Sequence, residues 1–206
     1  MKHTLNEFLN IPTPLVLASQ SPRRRQLLTG LGFEFTTVTP SVDEEAVPAV
    51  QPFNEYVQTL AVQKARRGLE LCAPDSIVIG ADTTVVLNNT VLNKPASATD
   101  ATQMLMSLSG KTHTVYTGLA VINGKTNAEY IGYRSTKVTF RTLLADEIAM
   151  YVQGGSPLDK AGGYGIQDDF GAVFVESIHG CYYTVVGLPV ELLYALLREM
   201  VRKETI

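Results

Sequence analysis

Two cysteines, Cys72 and Cys181, are too few for a disulfide framework or a four-thiolate metal site. Both are expected to be reduced core thiols. The three histidines, His3, His113 and His179, show no i to i+4 pairing and no acid ladder, which argues against a histidine-based metal centre. Basic charge is also short. The 17 Lys and Arg against 20 Asp and Glu leave a formal net charge of −3, the wrong sign for a general nucleic-acid binder. No apolar run approaches the ~20 residues that span a bilayer, and the opening segment, with Asn6, Glu7 and Asn10, lacks the apolar stretch of a secretory signal. A cytoplasmic protein with no membrane partner is the expectation. Internal repeats, low-complexity tracts and linkers are absent too. A chain of 206 residues therefore suits one well-buried α/β domain, or two small lobes sharing a cleft.

What is present is organised around Leu15–Leu28, LVLASQSPRRRQLL. Leu15–Ala18 has the continuous apolar character of a strand buried on both faces, Ser21 suits an N-cap, and Pro22 suits the first helical position. The stretch reads as strand, loop, helix. Arg23, Arg24 and Arg25 then fall in a first helical turn whose backbone already carries partial positive charge and unpaired N–H groups. Cations there cost from a few tenths to about 1 kcal/mol each. Either the arginines are solvated on a surface helix, or an anion at the helix start reverses the sign, phosphate being the usual one. In an acidic chain that anion is better read as a nucleotide than as a nucleic acid.

Residues 1–13 are a polar leader, with one helical turn expected at Leu5–Leu9, and 14–206 read as a single α/β domain. Gly32 marks the helix stop and Phe33–Val38 reads as a second strand. The Pro-bearing loop Thr39–Pro52 holds Asp43, Glu44 and Glu45; such acids are normally solvated, but near the arginine helix they can hold a divalent cation on phosphate. Phe53 to about Leu71 is a long amphipathic helix, with Tyr56, Leu60, Ala61 and Lys64 on adjoining positions of one face. Lys64 is expected to snorkel to water, the alternative being a point charge on phosphate. In Ser76–Leu87, SIVIGADTTVVL, Asp82 interrupts strand-like sequence on both sides. A carboxylate there is costly unless paired, hydrogen-bonded or metal-bound, so Asp82 is an ion-pair member or a site residue, and the site is the preferred reading. Lys94, held extended by Pro95, can aim its ammonium back toward Asp82.

Thr99–Ser109 is expected to be helical and capped by Gly110. The Ser-Gly-Lys-Thr beginning at Ser109 mimics the end of a phosphate-binding P-loop, but Leu105 stands where that pattern needs glycine. Strands His113–Ile122 and Ala128–Phe140 flank Asn123-Gly124, a hairpin signal. Asp146–Val152 reads as a short helix. In the Gly-rich stretch Ser156–Gln167, Asp159, Lys160 and Gln167 are polar groups among glycines that let backbone approach a ligand, a composition suited to base or sugar recognition. Gly171–Ile178 and Tyr182–Val186 read as the last strands, and Gly187-Leu188-Pro189 starts a terminal helix running to about Lys203.

Taken together, LASQSPRRRQLL, the VDE at Val42–Glu44, Gln63-Lys64-Ala65, IGADTTV, Lys94-Pro95, DKAGGYGIQ and VVGLP make the chain resemble the Maf proteins, nucleoside-triphosphate pyrophosphatases once named for an effect on septum formation. The resemblance implies an α/β fold with an elongated mixed sheet flanked by helices. Its two lobes would surround a cleft, as in the inosine-triphosphate pyrophosphatase fold, commonly in a homodimer. It implies hydrolysis of the bond between the α and β phosphates, with a divalent metal such as Mg²⁺ or Mn²⁺. By the same resemblance Ser19, Arg24, Lys64 and Lys94 match phosphate-contacting positions, Glu44 the acidic position near the metal, and Asp82 the proton acceptor or a metal ligand. Arg23, Thr83 and Gln167 match the dTTP and UTP type rather than the 7-methyl-GTP type. An amide such as Gln167 can pair with the O4 and N3–H edge of uracil or thymine. The implied role is house-cleaning removal of excess or modified pyrimidine nucleotides. The competing reading is a nucleotide-binding regulator of cell division with little or no hydrolysis.

Overall fold

The computed structural model describes residues 4–11, 13–167 and 170–204; His3, residues 1–3 as a whole and residue 12 of the leader lie outside them. Its elements in chain order are α1 (Leu5–Leu9), β1 (Leu15–Ala18), α2 (Pro22–Gly30), β2 (Thr36–Val38), α3 (Phe53–Leu69), β3 (Ile77–Leu87), β4 (Thr90–Leu92), α4 (Ala98–Leu108), β5 (Thr112–Asn123), β6 (Glu129–Phe140), α5 (Ala145–Gln153), β7 (Val175–His179), α6 (Tyr182–Val186) and α7 (Val190–Glu204). The strands form a mixed seven-stranded sheet in the order β2-β1-β3-β5-β6-β7, with β4 paired to β3. β1 runs parallel to β2 and β3, whereas β4 and β7 run antiparallel to β3 and β6. No helix among the described residues is long and apolar enough to cross a membrane.

The chain divides into two compact units, and β3, β5 and β6 each contribute to both. The first unit takes the chain up to Asp82, Thr117–Arg134, and everything from Gly187 on. Strand alternation builds it: Leu15, Leu17, Ile77, Ile79, Leu119 and Val121 pack with Leu28 of α2 and with Leu192, Leu193 and Leu197 of α7. The intervening Val16, Ala18, Val78, Ala120 and Ile122 pack against Ala61 and Ala65 of α3. Both sheet faces are thus covered, which is why Leu15–Ala18 carries no polar residue at all. Leu9, only 2% exposed, joins the first of these cores, so the described part of the leader packs on the fold.

α3 lies unusually close to the sheet. A Cβ at Gly80 would collide with the Ala61 carbonyl and come within 2.7 Å of the Ala65 nitrogen, and one at Gly118 would collide with the Val57 carbonyl. Glycine at both positions permits the approach.

The second unit comprises Thr83–Tyr116 and Ser135–Val186. Its core joins Val85, Leu105, Leu108, Val115, Val138, Ile148, Phe140, Tyr151, Tyr164 and Phe174. Edge-on ring pairs run through it, Phe140 to Tyr164 at 4.7 Å and Tyr151 to Phe174 at 5.2 Å between centroids.

Three local expectations are corrected. Phe33–Val38 is a strand only over Thr36–Val38, because the Phe33 N–H closes the end of α2 on the Leu28 carbonyl while Gly32 takes φ +80°. Gly171–Ile178 is a strand only over Val175–His179, because Phe170–Phe174 forms a 3₁₀ turn that buries Phe174 in the second core. Tyr182–Val186 is a single helical turn rather than a strand.

Candidate functional site

β1 ends at Ala18, and the loop to α2 is built from its own hydroxyls. Ser19 Oγ accepts from the Ser21 amide at 3.1 Å, and Ser21 Oγ caps α2 by accepting from the Arg24 amide at 3.4 Å. Arg24, in the first turn, folds back over this loop: its Nη1 donates to Ser19 Oγ at 3.3 Å and its Nε to the Gly187 carbonyl at 2.8 Å. Burial pulls the Arg24 guanidinium below its ordinary pKa. The Asp82 and Glu44 carboxylates oppose that shift and neighbouring Arg23 adds to it. Arg23 is itself half-buried, whereas Arg25 is exposed.

The second cluster forms where α3 approaches β3. Lys64 Nζ lies 2.6 Å from Asp82 Oδ1 and 2.7 Å from Glu44 Oε1. Asp82 is 6% exposed; the Glu44 side chain, on a short 3₁₀ turn of the acidic loop, remains 49% exposed. Lys64 therefore does not snorkel, and its ammonium is the shared counter-ion of two carboxylates. Gly80 explains the meeting, since the close contact of Ala61 and Ala65 with this strand carries Lys64 onto Asp82 two residues further along. Tyr56, two turns before Lys64 on α3 and 8% exposed, faces the same charge: burial raises its phenol pKa, and Asp82 and Glu44 raise it further. Its position on the face of Lys64 was visible in the sequence, but its apolar company made it read as core.

Ser19 and Arg24 thus meet directly, as do Glu44, Lys64 and Asp82, and Arg24 lies within electrostatic reach of both carboxylates. Lys94, Thr83 and Gln167 belong to the second unit. Thr83 is half-buried on β3 and its side chain alternates away from that of Asp82. Lys94 is exposed in the segment after β4, which is fastened by the Gly162 amide donating to the Asn93 carbonyl at 3.3 Å. Gln167 is half-buried at the end of the Gly-rich stretch. Within that stretch Lys160 is spent on its own turn, donating to the Ser156 carbonyl and hydroxyl and to Asp159 Oδ1 at 2.6, 2.9 and 2.8 Å.

Among the described residues no group of three or more His, Cys, Asp or Glu side chains is arranged to hold a metal. Glu44 and Asp82 nevertheless form a pair of hard oxygen donors already gathered around one cation, Lys64. One or two carboxylates completed by substrate phosphates is how Mg²⁺ is usually bound, so these residues fit such an ion.

Comparison with known proteins gives the same direction. The family model described as Maf-like protein matches residues 14–200. The dTTP/UTP pyrophosphatase of Salmonella typhimurium is 49% identical over 185 residues, covering 90% of this chain and 92% of that protein. The dTTP/UTP pyrophosphatase of Desulforamulus reducens is 45% identical over 185 residues, covering 90% and 95%. That of Salinibacter ruber is 44% identical over 194 residues, covering 94% of each chain.

Proposed function

The chain belongs to the Maf-like protein family, and from that premise we propose that it is a nucleoside triphosphate pyrophosphatase hydrolysing dTTP and UTP to the monophosphate and pyrophosphate. The observation that carries the reading is the Glu44–Lys64–Asp82 triplet set within electrostatic reach of Arg24. A buried carboxylate within electrostatic reach of a half-buried guanidinium at a helix N-terminus provides both a proton acceptor and an anion site.

In this reaction a water oxygen bonds to the α phosphorus and the bond to the bridging oxygen breaks, releasing pyrophosphate. Asp82 orients the water and takes its proton. Arg24, Ser19 and Lys64 bind the phosphate oxygens, with Arg24 and Lys64 countering the charge that develops there. Glu44 and Asp82 would hold a divalent cation, Mg²⁺ or Mn²⁺, whose contribution when bound is further neutralisation of phosphate charge. Lys94 is assigned to the phosphates as well, and Arg23, Thr83 and Gln167 to recognition of a uracil or thymine nucleotide. Removal of excess or modified pyrimidine nucleotides in the cytoplasm, by a homodimer, completes the reading.

The test is pyrophosphate release from a panel of nucleoside triphosphates with Mg²⁺, comparing the native chain with Asp82→Asn. Turnover of dTTP and UTP, lowered about 10²–10⁴-fold by the substitution, is expected. Tight nucleotide binding with no release of pyrophosphate from any triphosphate would replace the enzyme with the regulator.

A further inference from the structure

VVGLP, at Val185–Pro189, is the one motif of the sequence that the reaction leaves without a task, yet its glycine touches the site from 163 residues away. We propose that Gly187 is a positioning residue, whose carbonyl fixes the orientation of the Arg24 guanidinium for phosphate; the inference rests on Arg24 being a phosphate contact.

Three observations support it. First, the Arg24 Nε–H donates to the Gly187 carbonyl at 2.8 Å while Nη1 donates to Ser19 Oγ at 3.3 Å. Two acceptors on different nitrogens define the plane of a rigid guanidinium, so the Gly187 bond decides its roll about the side-chain axis. Second, the direction of that carbonyl is fixed from both sides. Gly187 is buried and takes φ +108°, a backbone state that side-chain-bearing residues rarely enter. Leu188 follows at 0% exposure in the core with Leu192 and Leu193, and Pro189 then restricts Leu188 to extended backbone. The Pro189 carbonyl in turn accepts from the Leu193 amide at 3.0 Å, tying the segment to the start of α7. Third, Arg24 needs such an anchor. It is a half-buried cation at the positive end of a helix with Arg23 beside it, and a carbonyl oxygen on Nε offsets lost solvation without neutralising the charge that phosphate must meet.

The inference accounts for the motif's composition. Glycine supplies the positive φ, leucine the core anchor and proline the stiff exit, and any of the three lost would free the carbonyl to turn.

The experiment is a double-mutant cycle on kcat/KM for dTTP with Gly187→Ala and Arg24→Gln, together with the ¹⁵N–¹H cross-peak of the Arg24 Nε, assigned by its loss in the Arg24 variant. Gly187→Ala is expected to lower kcat/KM by about tenfold or more and to shift that cross-peak, because a hydrogen bond on a charged donor is disturbed. The double variant is expected to match Arg24→Gln alone within about twofold, since Gly187 has nothing left to position. If Gly187→Ala fails to fold, an ester in place of the Gly187–Leu188 amide weakens the same carbonyl without adding a side chain, and the same cycle applies. Losses that multiply in the double variant, or an unshifted cross-peak, would overturn the positioning role while leaving the functional reading intact. Full activity of Arg24→Gln would instead overturn Arg24 as a phosphate contact, and the inference with it.

Discussion

Asp82 lies 6% exposed with Lys64 Nζ 2.6 Å from its Oδ1, and a carboxylate at that depth is costly when its paired cation is removed. Lys64→Met should therefore lower the unfolding free energy by about 3 kcal/mol, measured by urea titration, because it strands a buried charge rather than because the pair is strongly favourable. Adding Asp82→Asn to Lys64→Met should recover part of that loss, as a neutral amide no longer needs the cation; strictly additive losses would show that the two side chains do not act together. Glu44, half exposed, should contribute little to stability on its own. Asp82 was legible in the sequence because a carboxylate amid Ile, Val and Thr contradicts its surroundings. Lys64 was misjudged as snorkelling for the converse reason. Helical periodicity says which face a lysine shares, but its partners come from a loop and from a strand 18 residues further on, and only the fold brings them over that face. The Gly187 carbonyl gave no signal of its own, since a backbone acceptor is present at every position.

The β3–β4 hairpin turns through Asn88 and Asn89, with φ +50° and +62°, the paired left-handed residues that suit the twist of the strands. Asn89→Val should cost about 1–2 kcal/mol, because a β-branched side chain in that conformation crowds its own backbone, whereas Asn89→Gly should stay within about 0.5 kcal/mol of the native chain. Equal stabilities of the two variants in urea unfolding would mean that the turn conformation is not what the pair supplies. Elements with such chemical punctuation were the ones readable in advance: Ser21-Pro22 before α2 and Gly110 at φ +67° beyond α4. Where punctuation is missing or ambiguous, composition misleads. Tyr182–Val186 has the β-branched and aromatic content of a strand, yet the Thr184 amide reaches the Cys181 carbonyl at 3.1 Å, and glycines with positive φ at 180 and 187 confine the segment to one turn. A five-residue run has too little intrinsic preference to resist such boundaries.

At the scale of the molecule, strands β3, β5 and β6 each serve two cores, and the core of the second unit encloses a titratable pair that the reaction does not use. His113, 2% exposed, shares a 2.8 Å hydrogen bond between its Nε2 and the Tyr164 hydroxyl, with the Phe140 ring 5.0 Å away edge-on. Its Nδ1 has no partner among the described residues, so a second ring proton would be unsolvated there, and burial lowers its pKa from 6.5 to about 4. Unfolding releases the imidazole to its ordinary value. Between pH 6.5 and 4 the unfolded chain therefore binds a proton that the folded chain refuses, and stability must fall as the pH is lowered through that window, by about 3 kcal/mol in all. Tyr164 adds the opposite limb. Burial raises its phenol above the ordinary 10.0, so above pH 10 the unfolded chain gives up a proton that the folded chain keeps, and stability falls again. Urea unfolding followed by circular dichroism should thus show a plateau near neutrality with a decline on either side. The decisive comparison is His113→Gln between pH 6.5 and 5.5, above the range where the unfolded chain begins to protonate Glu147 and Glu199, both held below the ordinary carboxylate value of 4.5 in the fold by basic partners. The variant should be less stable at pH 7 but flatter across that interval. A slope unchanged from the native chain would place the acid sensitivity elsewhere in the molecule and remove His113 as its source.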